Sequence, residues 1–111
     1  MFHQREFTIY SIQDPYTLEI VYIGSTSDFK GRCIVHLGVK NESPISKYMQ
    51  RLRNENVLPI FKELFTATYN QKFYMENWVI NKFISKGTLL LNVADNTKEN
   101  KLLAIEKYLM I

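Results

Sequence analysis

The sequence predicts a single α+β domain, and three observations carry that reading. Phe7-Thr8-Ile9-Tyr10-Ser11-Ile12 alternates large apolar and smaller side chains with period two. The turn signal Asp14-Pro15 and a second β-rich run, Leu18 to Ile23, come after it, so the two runs pair as a hairpin. Beyond them, helical patterns with capping residues alternate with a third strand, in the order β, β, α, α, β, α, a short extended piece, α. At 111 residues the chain suits one compact domain, residues 1–111, with no internal repeat, low-complexity tract or linker.

Each element has a local reason. In the hairpin, Tyr10 and Tyr22 are expected near one another on neighbouring strands, although either could be an ordinary strand aromatic. Gly24-Ser25-Thr26-Ser27-Asp28 reads as a polar turn whose Ser27 or Asp28 caps a helix running through Leu37, with Gly38 ending it. On that helix Phe29, Cys33, His36 and Leu37 share a face, and Arg32 lies one turn before His36. Cys33 reads as a small core residue, since no partner stands at zinc spacing from it.

Ser43-Pro44 opens the next helix with a cap and a first-turn proline. Its apolar stripe is Ile45, Tyr48, Met49 and Leu52, which leaves Lys47, Arg51 and Arg53 facing outward as a candidate phosphate contact or simply a solvated face. Val57-Leu58-Pro59 breaks the pattern. Ile60 to Thr68 then reads as a strand with Phe61, Phe65 and Ala67 on one side.

Phe73 to Lys86 is the longest predicted helix, closed by Gly87. Phe73, Ile80, Phe83 and Ile84 form its stripe, with Trp78 and Val79 off to the side. Glu76 falls on that same stripe, where a carboxylate is costly unless it is paired or holds a cation. Leu89-Leu90-Leu91-Asn92-Val93 is a short apolar run ending in an amide. Asn96 and Glu99 offer a capping box for a last helix that carries Leu102, Leu103, Ile105, Leu109 and Ile111.

Composition narrows the function classes. Hydrophobic residues make up 46% of the chain, and no apolar run approaches the roughly 20 residues of a membrane span. The N-terminal MFHQREFT lacks a signal-peptide layout, and the lone Cys33 suits a reducing compartment. An intracellular location, in the cytoplasm or with the nucleoid or nucleus, is expected. The net charge of +3 and the pI near 9.0 permit a nucleic-acid partner without requiring one. Basic and acidic side chains number seven and six in residues 1–55 and seven and five in residues 56–111, so contacts to phosphate would come from local patches.

Two strand tyrosines, the Arg32–His36 pair, the misplaced Glu76 and Asn92 are residue types suited to phosphodiester hydrolysis. Arginine neutralises charge on a phosphate, a carboxylate holds a hard cation, and tyrosine or histidine moves a proton. They would serve other phosphate-binding tasks as well.

The same residues resemble the GIY-YIG nuclease family. Tyr22-Ile23-Gly24 reproduces the second half of the family's name, and Thr8-Ile9-Tyr10 corresponds to the first, with threonine in place of the usual glycine. Arg32 stands ten residues beyond Tyr22, in the place of the catalytic arginine, and His36 matches the histidine or tyrosine one turn later. Glu76 aligns with the metal-binding glutamate, and Asn92 with an asparagine near the domain's end. The resemblance spans roughly residues 7–95.

It implies a three-stranded antiparallel sheet flanked by helices and hydrolysis of DNA assisted by one Mg²⁺ or Mn²⁺ on Glu76. Arg32 would offset developing charge. Tyr22 or Tyr10, with His36, would position or deprotonate water, and Asn92 would orient a neighbour. Substrate choice would then call for dimerisation, a partner subunit or recognition of DNA shape. Small free-standing members occur in mobile elements, viruses and bacteria. The competing readings are a catalytically inactive module of the same fold that binds structured DNA or a protein partner, and an interaction domain with no nucleic-acid role.

Overall fold

The computed structural model describes residues 6–110. The predicted Ile111 at the end of the last helix lies outside them. Strand β1 (Glu6–Gln13) pairs antiparallel with β2 (Ile20–Thr26) and with β3 (Ile60–Thr68), giving a three-stranded sheet in the order β2-β1-β3. Helices α1 (Phe29–Gly38), α2 (Pro44–Asn54), α3 (Lys72–Ser85) and α4 (Lys98–Leu109) complete an α+β domain. Among the described residues no helix is long and apolar enough to cross a membrane.

The sheet divides two cores. On one side Tyr10, Ile12 and Val21 pack with Ile45, Tyr48, Met49 and Leu52 of α2 and with Ala104 and Tyr108 of α4. On the other, Ile9, Ile23 and Ala67 meet Val79 and Ile80 of α3. Period-two alternation along β1 sends Tyr10 and Ile12 to the first core and Ile9 to the second.

Two irregularities redirect side chains. In the pairing of β1 with β3, Ile9 stands opposite Phe65 and Tyr10 opposite Glu63, so Leu64 is an extra residue. This bulge overturns the expectation of one shared side for Phe61, Phe65 and Ala67. Phe61 packs on the Tyr10 core, whereas Phe65 and Ala67 belong to the Ile9 core. A second shift, between Ile12 and Gln13, leaves Val21 extra on β2.

Gly24-Ser25-Thr26 is strand rather than turn, because Tyr10, Ile9 and Thr8 of β1 pair with it residue for residue. Gly24 is there for its missing side chain. A Cβ at this position would run into the Cζ and Oη atoms of Tyr10, whose ring lies across the glycine. Leu18, expected in β2, instead sits in the hairpin loop at φ 63°.

That loop is tied down by Asp14. Its Oδ1 accepts from the backbone N–H groups of Tyr16 and Thr17, both at 2.9 Å, and its Oδ2 accepts from the Tyr48 hydroxyl at 2.6 Å. Burial pushes the Asp14 carboxyl up, but these donors outweigh it and hold it below the usual carboxylate range.

Helix ends follow local chemistry. Asp28 caps α1 through Gly31 N–H, and Ser43 caps α2 ahead of Pro44. Gly87 leaves α3 at φ 88°, as its place after the helix predicts. Thr97, not Asn96, caps α4 by accepting from Asn100 N–H at 3.1 Å. Asn96 instead donates to the carbonyls of Leu90 and Asn92, each at 2.8 Å.

The stripes on the last two helices also differ from expectation. On α4 the buried residues are Asn100, Ala104 and Tyr108, four apart, while Leu102 and Leu103 are exposed. On α3 Val79 joins Ile80 in the core and Phe73 lies outside it. Cys33 is half-buried rather than in the core.

The Tyr10–Gly24 packing gives a stability prediction. Tyr10 is 2% exposed and cannot swing aside, so Gly24→Ala should cost about 1–3 kcal/mol by urea unfolding, as overpacking does. In a Tyr10→Ala background the same change should cost clearly less. Equal costs in the two backgrounds would contradict the packing account.

Candidate phosphodiester site

The site is built around β2. This strand is an edge of the sheet, and beside it runs the segment after α3, where Leu91 N–H donates to Val21 C=O at 2.7 Å. One residue on, the buried Asn92 side chain takes both backbone groups of Ile23. Its Oδ1 accepts from Ile23 N–H at 3.1 Å and its Nδ2 donates to Ile23 C=O at 2.7 Å. Asn92 therefore orients backbone, and it fixes the strand residue between Tyr22 and Gly24.

Tyr10 and Tyr22 come together as their register requires, with ring centroids 6.4 Å apart. His36, from the last turn of α1, stands edge-on to both at 5.8 and 5.4 Å and lies 6.2 Å from Phe61. Its Nε2 is 2.7 Å from the Tyr10 hydroxyl, with the tautomer deciding which of them donates. Burial, aided by the positive charge of Arg32, pushes the imidazole down to about 4, so it is neutral at ordinary pH.

Burial also raises both phenols. The Tyr22 charge adds to the rise at Tyr10 and Glu76 to that at Tyr22, while Arg32 pulls each back. Among the described residues, the half-buried Tyr22 phenol has no hydrogen-bonding partner side chain, unlike that of Tyr10. Arg32 is exposed and forms no ion pair within the described chain. It lines a shallow depression of about 340 Å³ with Thr26, Ser27, Asp28, Gly31 and Val35.

Glu76 reaches this group from α3. Ser25 Oγ donates to its Oε2 at 2.9 Å, which joins α3 to the strand that carries Tyr22. Burial raises the Glu76 carboxyl; Ser25 opposes the rise, Asp95 adds to it and Lys72 reduces it. Arg32 thus lies within electrostatic reach of Tyr10, Tyr22 and His36, and Glu76 within reach of the two tyrosines, while Asn92 supports the strand that carries Tyr22.

Ser25 and Asp95 stand outside the residues that the sequence marks as a site. Ser25 directly follows the Tyr22-Ile23-Gly24 triplet, which is a usable signal. Asp95 has none, because a loop residue at φ 59° reveals its neighbour only in three dimensions.

The basic set of α2 is placed elsewhere. Lys47 is exposed and pairs with Glu42 at 3.3 Å. Arg51 and Arg53 do not face freely outward as expected. Arg51 donates to Glu55 at 3.0 Å and to Tyr108 C=O at 2.6 Å, and Arg53 donates to Leu37 and Val39 C=O at 2.6 and 3.3 Å. They tie α2 to the C-terminal ends of α4 and α1, where unpaired carbonyls attract donors. A larger depression of about 490 Å³, lined by Gln13, Leu18, Phe83, Thr88 and neighbours, includes none of the predicted site residues.

No protein-family model, curated protein or solved structure matches this chain. The reading of the site accordingly stands on its residues and their geometry.

A buried neutral histidine makes a pH prediction. Between about 6.5 and about 4 the unfolded chain holds a proton on His36 that the folded chain lacks, so stability is full above this window and falls as pH falls through it. His36→Gln keeps a hydrogen-bonding group near Tyr10 but cannot titrate. Urea midpoints measured across the window should fall less steeply for this variant than for wild type, and parallel slopes would contradict the assignment.

Proposed function

We propose that the protein is a metal-dependent endonuclease that hydrolyses phosphodiester bonds of DNA at the Tyr22–Arg32–Glu76 cluster. The observation that carries this reading is the Ser25–Glu76 hydrogen bond. It brings a carboxylate from α3 to the strand whose tyrosine also feels the charge of Arg32. A carboxylate and an unpaired guanidinium flanking a phenol and an imidazole are the parts that phosphate hydrolysis uses.

Among the described residues no group of three or more acidic, histidine or cysteine side chains comes together, so Glu76 would be the single protein carboxylate on Mg²⁺ or Mn²⁺. One oxygen of Glu76 is engaged by Ser25, and the other is left for a hard cation that takes one or two carboxylates and fills its remaining positions with water and substrate phosphate. When bound, such an ion would polarise the scissile phosphate.

The chain's own residues would do the rest. Arg32 offsets charge growing on the phosphate, and its exposure leaves it accessible to substrate. Tyr22 is the better placed phenol to orient the attacking water, because Tyr10 is buried against Gly24 and engaged with His36. Both phenols stay protonated at neutral pH, so Tyr22 begins as a hydrogen-bonding orienter. His36 and Tyr10 position it from behind.

Plasmid DNA incubated with the protein and Mg²⁺ or Mn²⁺ should be nicked or cut. Glu76→Ala and Arg32→Ala should each abolish cleavage. Tyr22→Phe should slow it by about 10²–10⁴, and Tyr10→Phe by less. Variants that cut like wild type would refute the hydrolytic reading. DNA binding without cleavage by the wild-type protein would favour the non-catalytic binding module.

A further inference from the structure

The turn from β3 into α3 and the outer side of α3 present four rings within ten residues. Tyr69, Phe73, Tyr74 and Trp78 are 56%, 68%, 73% and 48% exposed. Exposure on this scale leaves apolar surface that the described residues do not cover.

Lysines accompany the rings. The Lys72 ammonium lies 4.2, 5.0 and 4.5 Å from the ring centroids of Phe7, Tyr69 and Phe73. The Lys82 ammonium sits 4.8 Å over Trp78. Tyr74, Trp78 and Lys82 follow each other at four-residue steps, which places them in one row along the helix. Beside that row Asn81 Nδ2 donates to Asn77 Oδ1 at 3.0 Å. Between residues 69 and 82 the single acidic residue is Glu76, and it is turned inward to Ser25.

Within residues 69–82 this surface therefore offers flat rings and positive charge, with its one carboxylate turned inward. It also adjoins the site, since Lys72 is one turn before Glu76. Flat rings gain most from partners with flat faces, and lysines gain most from phosphates, so the pairing suits a nucleic-acid strand with bases free to stack. In a continuous duplex those base faces are already covered by neighbouring bases.

We propose that the Tyr69–Phe73–Tyr74–Trp78 face, with Lys72 and Lys82, is a stacking platform for unpaired bases, and that the substrate of the Glu76 site is DNA whose single-stranded segment runs along α3. This substrate class rests on the phosphodiester reading of the site. The platform itself is open to a separate measurement.

Trp78 is the chain's one tryptophan, so its emission reports stacking on this face directly. In the presence of EDTA, oligothymidylate of about 12 nucleotides should quench Trp78 emission with a saturable dependence, and duplex of equal length should quench it far less. Phe73→Ala and Tyr74→Ala, both at exposed positions, should each weaken binding about tenfold. Emission unchanged by oligothymidylate, or changed equally by duplex, would overturn the proposal. So would a Tyr74→Ala variant that turns a dimer into a monomer in sedimentation while leaving single-strand affinity intact, because the face would then join copies of the chain.

The two readings fail separately. Quenching by single strands with no cleavage under Mg²⁺ or Mn²⁺ would keep the platform and remove the endonuclease. Cleavage of continuous duplex without quenching would keep the endonuclease and remove the platform.

Discussion

The amide of Asn92 is the constraint on which the rest of the site depends. Strand β2 lies at the edge of the sheet, where its outward backbone groups would otherwise lack partners. Asn92 supplies an acceptor and a donor to the same residue, Ile23, and Leu91 adds a backbone bond to Val21. Leaving either Ile23 group buried and unpaired would cost on the order of 1–3 kcal/mol. With Ile23 held, Tyr22 projects to one side of the sheet, Gly24 lies under the ring of Tyr10, and Ser25 meets Glu76 on the way to the other side. One side chain, remote in sequence, thereby sets the positions of groups from both cores.

Electrostatically the cluster is balanced rather than strongly charged. The phenols of Tyr10 and Tyr22 are held protonated, His36 is held neutral, and the Glu76 carboxyl is raised. Arg32 is the fixed positive charge that all three rings feel. On the proposed function, a substrate phosphate would change that balance by bringing negative charge to the guanidinium and a cation to the carboxylate. Tyr10 and His36, both buried, and the partly buried Phe29 and Phe61 form an aromatic wall that limits water behind Tyr22, which strengthens interactions there.

Much of this was legible in the sequence where the signal is local. The alternation along Phe7–Ile12, the caps at Asp28 and Ser43, the α2 stripe and the glycine after α3 each report their own backbone. The misfit of Glu76 on its predicted stripe has a physical counterpart in the hydrogen bond from Ser25, although Phe73 of that stripe is exposed. What escaped depends on tertiary geometry. The extra residue at Leu64 switches Phe61 to the opposite core without any mark in composition. Leu102 and Leu103 look like core residues, yet α4 packs through Ala104 and Tyr108 because a small residue lets the helix approach. Arg51 and Arg53 look like a free basic face until the ends of two other helices arrive beside them.

The central claim is that Glu76 and the end of β2 form one cation-accessible site. The most direct test is paramagnetic broadening of backbone amide signals by Mn²⁺, followed by nuclear magnetic resonance. The account predicts broadening centred on Ser25 and Glu76 that spreads toward Tyr22 and disappears in Glu76→Ala. Broadening centred elsewhere, or unaltered in that variant, would contradict it.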